Sequence, residues 1–140
     1  MLLADTSAWI WSRRQGYPEL RAWFDERLEA GLIATCAPVR LELLYGTRSA
    51  ADHDRRRREL GALADCPVTP REWRRALEVQ GELAKLGADH QKAVKPADLV
   101  IAAAAEAAGA VLLPYDADFE LVAEITGQPT RLLAPAGSLR

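Results

Sequence analysis

The chain has 140 residues, 49% hydrophobic and 27% charged, with 18 basic and 20 acidic residues for a net charge of −2. That is one domain's worth of sequence with enough apolar residues for a core, which excludes disorder, collagen and a coiled coil as descriptions of the whole. At face value the acidic balance counts against a nucleic-acid binder, whose usual footprint is basic.

In chain order, Leu2-Leu3-Ala4 is a short apolar run stopped by Asp5-Thr6-Ser7, polar residues that end a strand and cap a helix. Leu20 to Ala30 carries Leu20, Trp23, Phe24 and Leu28 on one helical side, with Gly31 placed to end it. Leu32 to Cys36, between Gly31 and Pro38, reads as a buried strand. Pro38 suits the first turn of a helix to about Arg48, and Ser49 with Asp52 starts a charged helix to about Leu63. Cys66 to Val68 is predicted as a short strand. Thr69-Pro70-Arg71-Glu72 is a capping box opening a helix to about Leu86, ended by Gly87. Residues 88–95 are expected to be a loop. Pro96-Ala97-Asp98 opens a helix ending at Gly109. Ala110 to Leu113 is a strand, Pro114 to Phe119 a turn, Glu120 to Thr126 a short helix ended by Gly127, and Thr130 to Leu133 a last strand.

Continuous apolar strands alternating with helices predict an α/β fold, its sheet parallel and covered on both faces. No linker or repeat divides residues 1–140. Two cysteines make no disulfide framework, and Cys36 in its apolar run reads as a core residue. The N-terminus lacks a basic, apolar leader, and the alanine-rich stretch from Ile101 to Ala110 is too short to span a membrane and contains Glu106. A cytoplasmic, reduced protein with no membrane association is expected.

Ligands of an open parallel sheet bind outside the carboxyl ends of its strands. Asp5 follows the first strand, and Asp116 and Asp118 follow Val111-Leu112-Leu113. Each is either a turn or cap residue or a site acid. Glu42 has Pro38, Val39, Tyr45 and Gly46 as its helical neighbours, where a lone carboxylate must snorkel, pair with an arginine or serve a site. Asp98 starts a helix and is favoured there by the macrodipole, yet it shares a face with Ile101, Ala102 and Ala105, the side that packs on the sheet. Acids crowded at one sheet end repel, and a hard divalent cation relieves that repulsion. Oxygen ligands without His or Cys select Mg²⁺ or Mn²⁺, which points to hydrolysis of a phosphodiester.

Four blocks then resemble a known family. They are Leu3-Ala4-Asp5-Thr6-Ser7-Ala8-Trp9, Arg40-Leu41-Glu42-Leu43-Leu44-Tyr45-Gly46, Pro96-Ala97-Asp98-Leu99-Val100-Ile101-Ala102-Ala103 and Leu112-Leu113-Pro114-Tyr115-Asp116-Ala117-Asp118-Phe119. Their order and separations over nearly the whole chain resemble a PIN-domain ribonuclease of the VapC toxin type. The resemblance implies a three-layer α/β/α sandwich around a mainly parallel sheet of about five strands, a single PIN domain over 1–140. It implies Asp5, Glu42, Asp98 and Asp116 as the catalytic, metal-binding quartet for Mg²⁺, which Mn²⁺ can replace. Asp118 would be an accessory ligand, and Thr6 or Ser7 would touch the metal's water shell or the scissile phosphate. It further implies RNA as substrate, a cognate VapB-type antitoxin that occludes the site, a homodimer and a toxin–antitoxin hetero-oligomer. Pro114 departs from the pattern, which often has a polar or basic residue there, and this bears on a substrate contact.

Among basic residues, Arg48 to Arg58 holds five Arg against two Asp. Arg55 and Arg58 are candidates for RNA phosphates, as are Arg74 and Arg75, or else these are solvated helix faces with local pairs. Trp73, beside Arg74, reads as a core residue of its helix, with base stacking as the other option. Trp9 and Trp11 pose a similar choice, with a partner-docking role for one of them as the alternative. His53 and His90 are not placed as ligands. An aspartyl phosphatase would want Asp-x-Asp after the first strand, and a nucleotide-binding module a glycine-rich loop. Neither is present. With the five site acids set aside, the remaining charge moves from −2 to +3, so the acidic total is compatible with an RNA substrate.

Overall fold

The computed structural model describes residues 1–140. The order is β1 (Leu2–Ala4), α1 (Thr6–Arg13), α2 (Pro18–Glu29), β2 (Ile33–Thr35), α3 (Ala37–Tyr45), α4 (Ala50–Gly61), β3 (Ala64–Asp65), α5 (Pro70–Leu86), α6 (Ala88–Ala93), α7 (Pro96–Ala108), β4 (Val111–Leu113) and α8 (Phe119–Thr126). The strands form one parallel sheet of order β3-β2-β1-β4, flanked by helices. Successive crossovers move outward from β1 to β3, then jump back across β1 to β4. The direction of winding therefore reverses between β1 and β4, and that is where such a sheet opens a crevice at its carboxyl end.

The core explains why the strands lack polar/apolar alternation. Leu3, Ala4, Ile33, Ala34, Leu112 and Leu113 are all buried, since helices cover both faces. In α7 every residue from Leu99 to Ala105 is buried, and α5 and α8 both pack on it. Its alanines let these helices approach closely. Gly109 stops α7 with φ of 67°, a left-handed turn that costs a side-chain-bearing residue about 1 kcal/mol or more. No helix is long and apolar enough to cross a membrane.

The sheet has four strands rather than about five. Thr130 to Leu133 runs along β4, but its pairing reduces to one parallel bridge, Leu112 with Thr130. Leu112 N–H donates to the Pro129 carbonyl, Arg131 N–H to Leu112, and Leu133 N–H to Pro114. The missing rung is the one Pro114 would donate, and proline has no N–H. The third strand is Ala64–Asp65 rather than Cys66 to Val68. Cys66 N–H still bonds the Thr35 carbonyl at 2.8 Å, but Pro67 ends the ladder. Residues 88–95, expected as a loop, contain α6. Gly87, at φ of 132°, turns the chain so that a second helix starts directly after α5. Its sequence, Ala-Asp-His-Gln-Lys-Ala, has no apolar stripe to announce it.

Cys36 and Cys66 are both buried and free. Burial pushes the Cys36 thiol up to about 12, which leaves it unreactive. The capping box of α5 forms as expected. Thr69 N–H donates to Glu72 Oε1 at 3.1 Å, and the Thr69 hydroxyl bonds the same carboxylate. Because Glu72 is only 7% exposed, Thr69→Ala removes a partner that water cannot replace. We expect a loss of about 1 kcal/mol, read as a lower urea midpoint with unchanged slope.

Candidate active site

Asp5 sits at the β1–α1 junction, 3% exposed. It caps α1, its Oδ1 accepting from Ala8 N–H at 2.9 Å and from the Ser7 hydroxyl at 2.7 Å. The cap reading and the site reading of this residue therefore hold together, because neither bond engages Oδ2. Burial, with Asp98 and Asp116 nearby, raises its pKa to about 7 despite both hydrogen bonds.

Asp98, half-buried in the first turn of α7, is raised to about 6, first by burial and then by the charges of Glu42 and Asp116, with Asp118 adding less. Asp118 is also raised, by burial and by Asp116. Its N–H donates to Asp116 Oδ1 at 2.8 Å, so the two acids share one tight turn after β4. Asp98 thus links all five predicted acids at the β1/β4 crevice, lying within electrostatic reach of Asp5, Glu42, Asp116 and Asp118. Glu42 and Asp116 are exposed, whereas Asp5 is the buried floor. One cation opposes the cluster: Lys95, just before α7, lowers the pKa of both Asp98 and Asp118. Lys95 escaped the sequence reading, although its position three residues before Asp98 was the available signal.

No three Asp, Glu, His or Cys side chains converge tightly enough to cage an ion by themselves. A hard ion of Mg²⁺ type needs only one or two carboxylates, with waters completing its shell. The donors are all oxygen, and the buried Thr6 Oγ1 beside Asp5 has no hydrogen-bond partner. An acidic, oxygen-only crevice of this kind fits a hydrated divalent cation. Ser7 is differently employed. Its hydroxyl donates to Asp5 and accepts from Tyr115 N–H at 3.0 Å, which ties the end of β1 to the loop after β4. Pro114 is buried.

The basic candidates divide. Arg55 pairs with Asp52, and Arg58 with Asp54, within α4. Arg75 is held by Glu106 through Nε at 2.8 Å and by Glu78. Arg74 is exposed on α5 and belongs to no ion pair. Trp9 is core, edge-on to Phe24 at 5.0 Å. Trp73 is not core; it is 57% exposed. The buried stripe of α5 runs through Glu72, Ala76, Val79 and Leu83, and Trp73 lies one residue off it. With Leu41, Val68, Pro96, Val100 and others, Glu42 among them, it lines a largely apolar groove of about 470 Å³.

The PIN domain family model matches residues 2–125. The chain is 46% identical over 135 residues to ribonuclease VapC18 of Mycobacterium tuberculosis, covering 96% of both. It is 39% identical over 137 residues to ribonuclease VapC51 of the same organism, covering 98% of this chain and 96% of the relative. Among solved structures it resembles the DNA-bound VapBC of Salmonella typhimurium, at TM-score 0.69 and 18% identity, over 95% of this chain and 98% of that one. It also resembles FitAB bound to a DNA fragment, at TM-score 0.70 and 16% identity, with 95% of each covered. Those structural likenesses establish the fold.

Proposed function

The chain belongs to the PIN-domain family, with relatives of the VapC ribonuclease type over nearly its whole length, and from that premise we propose that it is a divalent-metal-dependent endoribonuclease acting as a toxin. The observation that carries this reading is the convergence of Asp5, Glu42, Asp98, Asp116 and Asp118 on the one crevice where the sheet's winding reverses.

Asp5, Asp98 and Asp116 would hold a Mg²⁺ ion, which Mn²⁺ can replace, with Glu42 and Asp118 at its margin. When bound, such an ion neutralises the acids, acidifies an attacking water and offsets charge developing on the phosphate. The protein's own residues do the rest. Asp5 is fixed by Ala8 and Ser7 and cannot turn away. Asp98 or Asp116 would orient the attacking water. Lys95 supplies the local positive charge that an RNA phosphate meets on approach.

The test is a paired cleavage assay on structured RNA with Mg²⁺ or Mn²⁺. Asp98→Asn, or a chelator with wild type, is expected to reduce the rate about a hundredfold or more. Cleavage that survives both treatments overturns the mechanism.

We further assign this toxin a cognate VapB-type antitoxin, a homodimer and a joint hetero-oligomer. The apolar groove lined by Leu41, Trp73 and Pro96 supports a partner segment seated there, because its occupant lies against Glu42 and the start of α7. Leu41 is 71% exposed, and exposed apolar side chains beside a polar rim are typical of such surfaces. Trp73→Glu is expected to weaken antitoxin binding about tenfold or more in calorimetric titration while leaving cleavage intact. Unchanged affinity places the neutralising contact elsewhere.

A further inference from the structure

The loop carrying Asp116 and Asp118 is anchored from a direction that the site itself does not require. Tyr115 is bonded at both ends. Its N–H donates to the Ser7 hydroxyl, which in turn holds Asp5. Its phenol accepts from Leu139 N–H at 2.8 Å and lies 3.4 Å from the Leu139 carbonyl. The next residue, Arg140, is gripped through its own N–H and carbonyl by the Tyr17 hydroxyl, in the turn before α2. Trp11 stands edge-on to both tyrosines, with centroids 6.0 Å from Tyr17 and 5.3 Å from Tyr115. Two phenols therefore clamp one short segment, and one of them belongs to the loop that carries Asp116 and Asp118.

We propose that Tyr115 is a positioning residue and that Leu139–Arg140 is its latch. The latch fixes the Tyr115 ring, the ring fixes the Tyr115 amide against Ser7, and the amide holds Asp116 over Asp5. A backbone contact made by Leu139–Arg140 thus controls the spacing of site acids that follow β1 and β4. The consequence for ion binding rests on the metal-dependent reading above, whereas the latch itself does not.

The experiment compares full-length wild type with Tyr115→Phe, Tyr17→Phe, the double variant and Asp116→Asn. Phenylalanine keeps each ring and its contact with Trp11, so the fold survives. Amide hydrogen exchange is read in chelator, and Mn²⁺ affinity is read without RNA. Tyr115→Phe is expected to speed exchange at Tyr115 and Asp118 about tenfold and to weaken Mn²⁺ about fivefold, leaving β1 and β4 protected. Tyr17→Phe, which touches no site acid, should reproduce part of both effects. The double variant should be no worse than Tyr115→Phe alone, because both act through one segment. Exchange at Tyr115 and Asp118 unchanged in Tyr115→Phe, or raised equally across the sheet, overturns the latch. If Asp116→Asn weakens Mn²⁺ while both tyrosine variants bind normally, the latch fails and the metal reading stands. If wild type binds no Mn²⁺, the metal reading fails and hydrogen exchange alone decides the latch.

Discussion

Asp5→Asn is expected to stabilise the ion-free protein above pH 7 while reducing RNA cleavage by about a hundredfold to a thousandfold. The two effects share a cause. At 3% exposure the Asp5 carboxylate is ionised against a burial cost that lifts its pKa from 3.8 to about 7. Each pKa unit is about 1.4 kcal/mol between protonation states, so full relief of the shift bounds the gain at about 4 kcal/mol at pH 8. Asparagine has nearly the same shape, and its oxygen still accepts from Ala8 and Ser7, so the α1 cap survives. What disappears is the negative charge at the crevice floor. A thermal melt in chelator and a cleavage assay in Mg²⁺ measure the pair. A variant that melts lower, or that cuts RNA at the wild-type rate, contradicts the assignment of Asp5. This is the trade-off expected where a site stores unfavourable charge for use with a ligand.

The second large effect is on pH. Asp5 and Asp98 have folded pKa values of about 7 and about 6, above the ordinary 3.8. Between about pH 4 and 7 the native state therefore binds more protons than the unfolded state, and stability must fall as pH rises through that window. In chelator we expect the melting temperature to be highest at the acid end of that window and to drop by several degrees by pH 8. Saturating Mg²⁺ should restore the loss at pH 8, since a ligand at a hundred times its dissociation constant adds about 2.7 kcal/mol. Calorimetry at four pH values with and without the ion tests both statements. A flat profile in chelator removes the buried-acid argument, and an ion effect absent at pH 8 removes the ion.

Most of the site was legible because its residues announce themselves in one dimension. Asp5 directly follows an apolar strand, Asp116 comes three residues after another, and Asp98 stands in the first turn of a largely apolar helix. Ser7 and Tyr115 were harder. The bond between them spans 108 positions, and nothing in either local sequence requires it. Trp73 was misjudged as core because one helical residue turns a side chain by about 100°, and only packing reveals which stripe of α5 meets α7. The basic runs were ambiguous in sequence, and in the fold Arg55, Arg58 and Arg75 are occupied by neighbouring acids.

By itself the sequence determined the alternation of strands and helices, the buried parallel character of the sheet, and the acids at strand ends. Those depend on local periodicity, caps and prolines, which act over a few residues. Only the tertiary structure decided that β4 lies beside β1, and hence that Asp116 comes within electrostatic reach of Asp5. It also decided that Pro114 leaves the last segment a single bridge, and that Leu139–Arg140 returns to clasp Tyr17 and Tyr115. Strand order and long-range backbone hydrogen bonds are settled by how whole elements share one core, and that information is spread over all of them.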